Sequence, residues 1–412
     1  MFLFSILILL FPFYNYPLFY DSTFLPGGLS LIKLIGIIAA LNALVFLPQS
    51  RDLRSRAFNA IFLSLIFYLI WVMMNSYVFR DIGNPVALQS LLAILIFLFT
   101  FLVFIDSKDR ARRLILLYMF AMGLACYRVY RELILFSHIY PGLRPSSTFG
   151  DPNYFSIAMI PPITLTFGMI KESFESGNRK KGLFYLFVLA YYLIPFLFAA
   201  SRGAAIGLFI SSFLVFLQSK RKGVILLISI LIISVSMPLL YDRFVVRFKS
   251  LIPSESTEKT GDRESYEIRK MLLIGGLQII GGNWGLGIGA GNFKKRIAEV
   301  VPALGEEGYI AHNTYIEVFA EHGIIGFMLF SATLIGILRK MVQTKFYRLN
   351  IENNTIPPIV ISLYASFIGY IIASFFLSVQ FDRIFYLNLA TTTIFTNILQ
   401  FSKDNPRTLI NV

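Results

Sequence analysis

The sequence is poor in the residues that build most soluble active sites. It has one cysteine, three histidines and two tryptophans in 412 residues, and only 15% of its residues are charged. The lone cysteine, Cys126, excludes an intramolecular disulfide and a cysteine metal cluster, and leaves a membrane-buried thiol as its expected role. No His-Glu-x-x-His, Asp-x-Asp or close cysteine pair occurs, so the reading is metal-free and no cofactor is expected. Acidic residues are also scarce, with 23 Asp and Glu against 37 Lys and Arg, a formal net charge of +14.

What is present is apolar length. The chain is 56% hydrophobic and 16% aromatic, outside the range of soluble domains. A hydrocarbon core of roughly 30 Å takes about 20 helical residues to cross. Runs of that kind lie near 2–20, 28–47, 57–78, 86–105, 114–130, 152–170, 183–199, 203–218, 223–240, 314–338, 357–379 and 384–400. They are Leu, Ile and Phe without strict alternation, which argues against a β-barrel. The expected fold is all-α: a single integral membrane domain over 1–412 with about twelve spans and one long hydrophilic loop, 241–313, between the ninth and tenth. Met1 to Tyr20 has no basic start and no small-residue cleavage site, and reads as a retained first helix rather than a signal peptide.

Charge gives the orientation. With a cytoplasmic N-terminus, the cytoplasmic connectors and tail carry 20 Lys and Arg, including Arg51, Arg54, Lys108, Arg113, Lys180 and Arg339. The short connectors of the opposite side carry six: Arg80, Arg128, Arg131, Arg144, Arg202 and Arg383. The positive-inside rule then predicts both termini in the cytoplasm and the long loop outside it. The basic excess is thus a topology signal, and no nucleic-acid partner is expected.

Several polar segments on the outer side each support two readings. Arg128 and Arg131 share a helical face at the end of the fifth span. They are snorkelling anchors, or guanidinium forks for an anion. In Ser201-Arg-Gly-Ala-Ala-Ile-Gly207, Gly203 and Gly207 form a small-xxx-small packing pair, and Arg202 is either an anchor or a ligand for a lipid-borne phosphate. Gly261-Asp-Arg-Glu-Ser-Tyr-Glu-Ile-Arg-Lys270 reads as a polar helix start with Asp262 as cap; its Arg263 and Arg269 either make surface pairs or bind substrate. The Gly285-Leu-Gly-Ile-Gly-Ala-Gly-Asn292 run lacks a preceding strand and a following Lys-Ser/Thr, so it predicts a tight turn placing a re-entrant or surface helix rather than a nucleotide loop. Arg144-Pro-Ser-Ser-Thr-Phe-Gly-Asp-Pro-Asn-Tyr154 is a turn-rich lead into the sixth span, where Asp151 or Asn153 caps the helix or contacts sugar hydroxyls. His312, beside Asn313 and just before the tenth span, is either a structural hydrogen-bonder or a base for a hydroxyl. His322 reads as a packing or pairing residue beside Glu321, and His138 as a loop residue.

Taken in order, these segments resemble a family. Gly-Asp-Pro-Asn-Tyr before span six, Ser-Arg-Gly-Ala after span seven, an arginine 18 residues before Gly287, then His-Asn-Thr-Tyr and Ala320-Glu-His-Gly-Ile-Ile-Gly326 are similar to the O-antigen ligase and polymerase superfamily. It comprises lipopolysaccharide O-antigen ligases, polysaccharide repeat polymerases and O-linked protein oligosaccharyltransferases. The specific motifs occupy about 145–330. The resemblance implies an inverting glycosyltransferase that moves a polyprenyl-diphosphate-linked glycan to an acceptor hydroxyl outside the cytoplasmic membrane. It implies Arg202 and Arg269 on the diphosphate and His312 as the base, with Arg263, Arg144, Arg128, Asn153 and Asn313 around the substrates. The family's tryptophan four residues after the loop arginine is here Leu273, so Arg263 stands as a second match for that arginine. Lipid A-core ligation is the expected reaction, with repeat polymerisation as the alternative. A protein acceptor, a transporter or flippase of lipid-linked glycans, and a non-catalytic assembly partner are further readings. Membrane lipids, the donor and a lipid A-core or glycan acceptor are the expected partners.

Overall fold

A computed structural model of the chain describes residues 2–13, 30–47, 60–78, 85–140, 143–218, 261–349 and 358–401. Every regular element among them is helical. The first five helices are α1 (Phe2–Leu10), α2 (Leu31–Phe46), α3 (Ala60–Val78), α4 (Pro85–Phe104) and α5 (Lys108–Phe136). They are followed by α6 (Pro152–Ala158), α7 (Ile160–Glu175), α8 (Arg179–Ala199) and α9 (Arg202–Leu217). The last five are α10 (Gly261–Asn283), α11 (Phe293–Val300), α12 (Thr314–Leu349), α13 (Pro358–Ala373) and α14 (Arg383–Phe401).

Helix occupies most of the described part of each expected span; residues 14–20 of the first, the whole of 223–240, and Arg51, Arg54 and Arg80 lie outside the described residues. Among the described residues, six candidate spans are long and apolar enough to cross a membrane: Ile61–Val78, Ala87–Phe104, Asp109–Phe136, Pro152–Glu175, Arg179–Ala199 and Thr314–Gln343. The chain is a multi-pass membrane protein. Short polar side chains set where several helices start. Ser30, Ser107, Asp151 and Asn178 each accept an N–H from the first turn of the helix that follows.

The small-residue pair read in the sequence brings α9 onto α13. A methyl group added at Gly207 would strike the carbonyl of Gly369 and the side chain of Ala373, and one at Gly203 would strike Phe376. In a membrane, where apolar contact with lipid competes with apolar contact between helices, such close backbone approach is a main source of packing energy. Thr164 and Ser211 hydrogen-bond across α7 and α9 (2.9 Å). Ser64 and Thr333 do the same across α3 and α12 (3.0 Å).

The long hydrophilic loop of the sequence is, over its described part, a folded unit with an apolar core of its own. Leu272, Ile279, Ile288, Phe293, Ile297, Leu304 and Ala311 cluster there with Ala320 of α12. Helix α10 begins at Gly261, so Asp262 lies inside its first turn rather than capping it. The glycine run between α10 and α11 is the tight turn expected, and it does not stand in water. Helix α12 breaks at Gly323 (φ 63°, ψ −168°), which frees backbone carbonyls above the break. Ile288 N–H donates to the Ala320 carbonyl (3.0 Å), and Gly289 N–H to that of Glu321 (2.8 Å). Trp71 Nε1 donates to that of His322 (2.8 Å). Gly287 (φ 79°) touches the Glu321 backbone closely enough that no side chain fits. The break and the glycine run are therefore one device, since each satisfies polar groups the other exposes.

Candidate active site

Hydrogen bonds place several connectors at one end of the bundle. Thr314, opening α12, donates from N to the Ser374 carbonyl (2.9 Å) and from Oγ1 to that of Leu377 (2.6 Å). Tyr154 of α6 donates to the Ser378 carbonyl (2.7 Å). Arg144 Nε donates to the carbonyl of Ala199, and its Nη2 to that of Ala200, at 3.0 and 3.3 Å. The same Nη2 reaches Asn153 Oδ1 (3.2 Å). Segments 143–153, 199–202, 312–314 and 374–382 thus meet at one end. The opposite end is tied by Arg112 to Glu172 (3.6 Å) and by Lys171 Nζ to the Gln218 carbonyl (2.7 Å).

Arg202, Arg269 and His312 converge at the first end, from three separate segments. Burial pushes the guanidinium of Arg269 below its usual pKa, and the nearby charge of Arg202 pushes it further, against Asp151. Burial likewise lowers the imidazole pKa of His312; the charge of Arg269 lowers it further, and Asp151 opposes both. An arginine stays protonated under such pressure, so two cations sit close together beside one carboxylate, and His312 is neutral at pH 7. Its Nδ1 is buried and has no hydrogen-bond partner among the described residues.

The backbone at this site is strained in a consistent way. Among the described residues, the non-glycine residues with positive φ are Ser147 (54°), Ala200 (50°) and His312 (49°). All lie in the segments that carry the cluster. Left-handed backbone is unfavourable for such residues and persists where the surroundings impose it, a pattern common at functional sites. Arg144 shows how it is imposed at one of them: it holds the carbonyl of Ala200 two residues before Arg202.

The other expected site residues fall around this cluster in different ways. Arg144 and Asn153 hold each other and the end of α8. Asn313 Oδ1 accepts the N–H groups of Tyr315 and Ile316 (3.0 and 3.1 Å), so this side chain caps α12. Arg128 faces Glu132 (3.8 Å), whose other oxygen receives the N–H groups of Ser146 and Ser147 (3.1 and 3.3 Å) and so anchors the 143–151 turn. Arg263 lies in the first turn of α10; its side chain is outside the described residues. Asp151 was expected as a cap, and it is one, accepting Asn153 N–H (2.6 Å). Its electrostatic reach to Arg269 and His312 was missed, because the Asp-Pro-Asn pattern signals a helix start and nothing more. Cys126 is fully buried, His322 pairs with Gln380, and His138 is exposed, each as read. Among the described residues no group of three His, Cys, Asp or Glu side chains is placed to hold a metal ion.

Residues 187–331 match the family model described as O-antigen ligase. Over this segment the chain is similar to the O-antigen ligase family. The segment contains Arg202, Arg269 and His312, so the matched region and the electrostatic cluster coincide. Asp151, Arg144 and Asn153 are added to the matched segment from outside it, by the fold. No curated protein matches the chain.

Proposed function

We propose that this protein transfers a glycan from a polyprenyl diphosphate to a sugar hydroxyl of an acceptor, with lipid A-core as the acceptor. The observation that carries the reading is the juxtaposition of Arg202, Arg269 and neutral His312 at one end of the bundle. Two guanidiniums held together in a half-buried site repel each other until an anion lies between them. A diphosphate suits them, since its oxygens match guanidinium forks. As the bond between the anomeric carbon and the diphosphate breaks, negative charge grows on the leaving oxygen, and the arginines stabilise that state more than the ground state. The acceptor oxygen attacks the anomeric carbon from the opposite face, its proton passes to the imidazole of His312, and polyprenyl diphosphate departs. One displacement inverts the anomeric centre.

The positive-inside pattern favours a site on the side opposite the cytoplasm. A donor activated as a diphosphate ester suits such a compartment, because it needs no nucleotide there. Repeat polymerisation uses the same chemistry with a second lipid-linked glycan as acceptor. The test is incubation of purified protein with a polyprenyl-diphosphate glycan, EDTA, and either lipid A-core or a second glycan lipid. Ligation predicts a single-step mass increase of lipid A-core; a ladder of repeats on the glycan lipid would replace ligation with polymerisation.

A further inference from the structure

The glycine run does more than turn the chain, because one buried carboxylate ties it to the bundle. Glu321 is fully buried on α12, two residues before the break at Gly323. Its Oε1 receives Phe293 N–H at the start of α11 (3.0 Å), and the Gly291 N–H also donates to its carboxylate. Its Oε2 receives Gln380 Nε2 (2.7 Å). Both oxygens act as acceptors, the pattern of a carboxylate. Gln380 is held in turn: its Oε1 lies 3.2 Å from His322 Nε2, and its backbone carbonyl accepts the Tyr386 hydroxyl (2.8 Å). With Nε2 as donor, each hydrogen bond along the Glu321–Gln380–His322 row joins a donor to an acceptor.

This row joins three parts of the molecule. Phe293 belongs to the α10–α11 unit that carries Arg269. Glu321 shares a helix with the Thr314 start that follows His312. Gln380 lies in the 374–382 segment, which binds Thr314 and Tyr154 and so reaches the wall carrying Asp151. We infer that Glu321 is a positioning residue: through Phe293 and Gln380 it holds the α10–α11 unit in register with the bundle, and so sets Arg269 against His312 and Arg202. The inference rests on the transfer reading for its catalytic consequence, while the register itself is measurable without any substrate.

A buried donor–acceptor row gives a sharp test. Gln380→Glu places two carboxylates face to face in an apolar interior, which costs far more than a lost hydrogen bond. Because Glu317 also hydrogen-bonds Gln380, both variants are made in a Glu317→Gln background. There the exchange Glu321→Gln with Gln380→Glu restores the pairs of the row, since Gln at 321 accepts from Phe293 and donates to the new carboxylate, which still accepts from His322. Spin labels at Lys270→Cys and His138→Cys, both exposed, report the spacing of α10 from the bundle in a Cys126→Ala background. Electron–electron resonance in detergent should give one narrow distance for the parent. Gln380→Glu should broaden or displace it and lower kcat at least tenfold, and the exchange variant should recover the narrow distance and turnover within about threefold. An unchanged distance in Gln380→Glu, or an exchange variant no better than the single one, would overturn the inference. If the parent transfers no glycan to any acceptor, the catalytic reading fails while the distance arm still decides the positioning claim.

Discussion

His312 combines a left-handed backbone, a buried unpartnered Nδ1 and a pKa held below its ordinary value by burial and by Arg269. The sign of the pH dependence follows. The imidazole is the base when neutral, so kcat/KM is retained as pH falls through 6.5 and is lost only below it, as the depressed pKa is crossed. Arg269→Gln removes one cause of the depression and leaves the larger one, burial. His312 should then titrate higher than in the parent but still below its ordinary value, measured by NMR of histidine-labelled protein, which has only three imidazoles to assign. The same variant should lose about 10²–10³ in kcat, the usual effect of removing one donor to a developing anion. Arg269→Lys should recover only part of that, because an ammonium cannot grip two phosphate oxygens in one plane. At this scale the sequence was legible where a residue type has one dominant chemistry. Arg202, Arg269 and His312 were singled out by their motifs and order, and the fold brings them within electrostatic reach of one another. Asp151 was not, since its reach to Arg269 and His312 is created only when α6 packs on α9 and the connectors meet at one end.

Among the elements, the break in α12 and the glycine run fit together, and this coupling lies beyond what spacing alone reveals. The four glycines spaced through Gly285 to Gly291 read as a turn, and a turn they are. That the turn hydrogen-bonds to carbonyls freed at Gly323 depends on two segments some thirty residues apart meeting in space. Gly287→Ala should therefore cost more than the roughly 1–2 kcal/mol of a left-handed alanine, because its methyl group also meets the Glu321 backbone. Thermal unfolding in detergent measures this, and an unchanged midpoint would count against the fit. Arg144 works at the same scale, as a clamp on the last carbonyls of α8. Arg144→Ala should lower stability by about 1–3 kcal/mol through bonds lost by a charged donor. Because Ala200 precedes Arg202, donor affinity should weaken as well, and Arg144→Lys should restore less than half of either loss.

As a whole molecule, the protein is, over its described residues, a helical bundle whose candidate site collects at one end and whose basic segments 108–113 and 171–181 lie at the other. The helical class and most span positions were legible because a membrane imposes length and apolarity on every crossing segment. The internal order of the 241–313 segment was not, because its polar surface hid the apolar core of Leu272, Phe293 and Ile297. Sidedness is a whole-molecule property with a direct check. With Cys126 replaced by alanine, His138→Cys, at the site end, should react with a membrane-impermeant maleimide in intact spheroplasts. Lys180→Cys, at the start of α8 and the other end, should react only after permeabilisation; the reverse pattern would invert the topology. The central claim is that His312 acts on a substrate that the arginines bind. The measurement that tests it most directly compares donor binding and single-turnover transfer in His312→Ala against the parent, on the same purified preparation with EDTA. The account predicts donor affinity within a few-fold of the parent and transfer slowed by about 10²–10⁴, the usual contribution of a general base. Transfer at the parental rate in His312→Ala would contradict it.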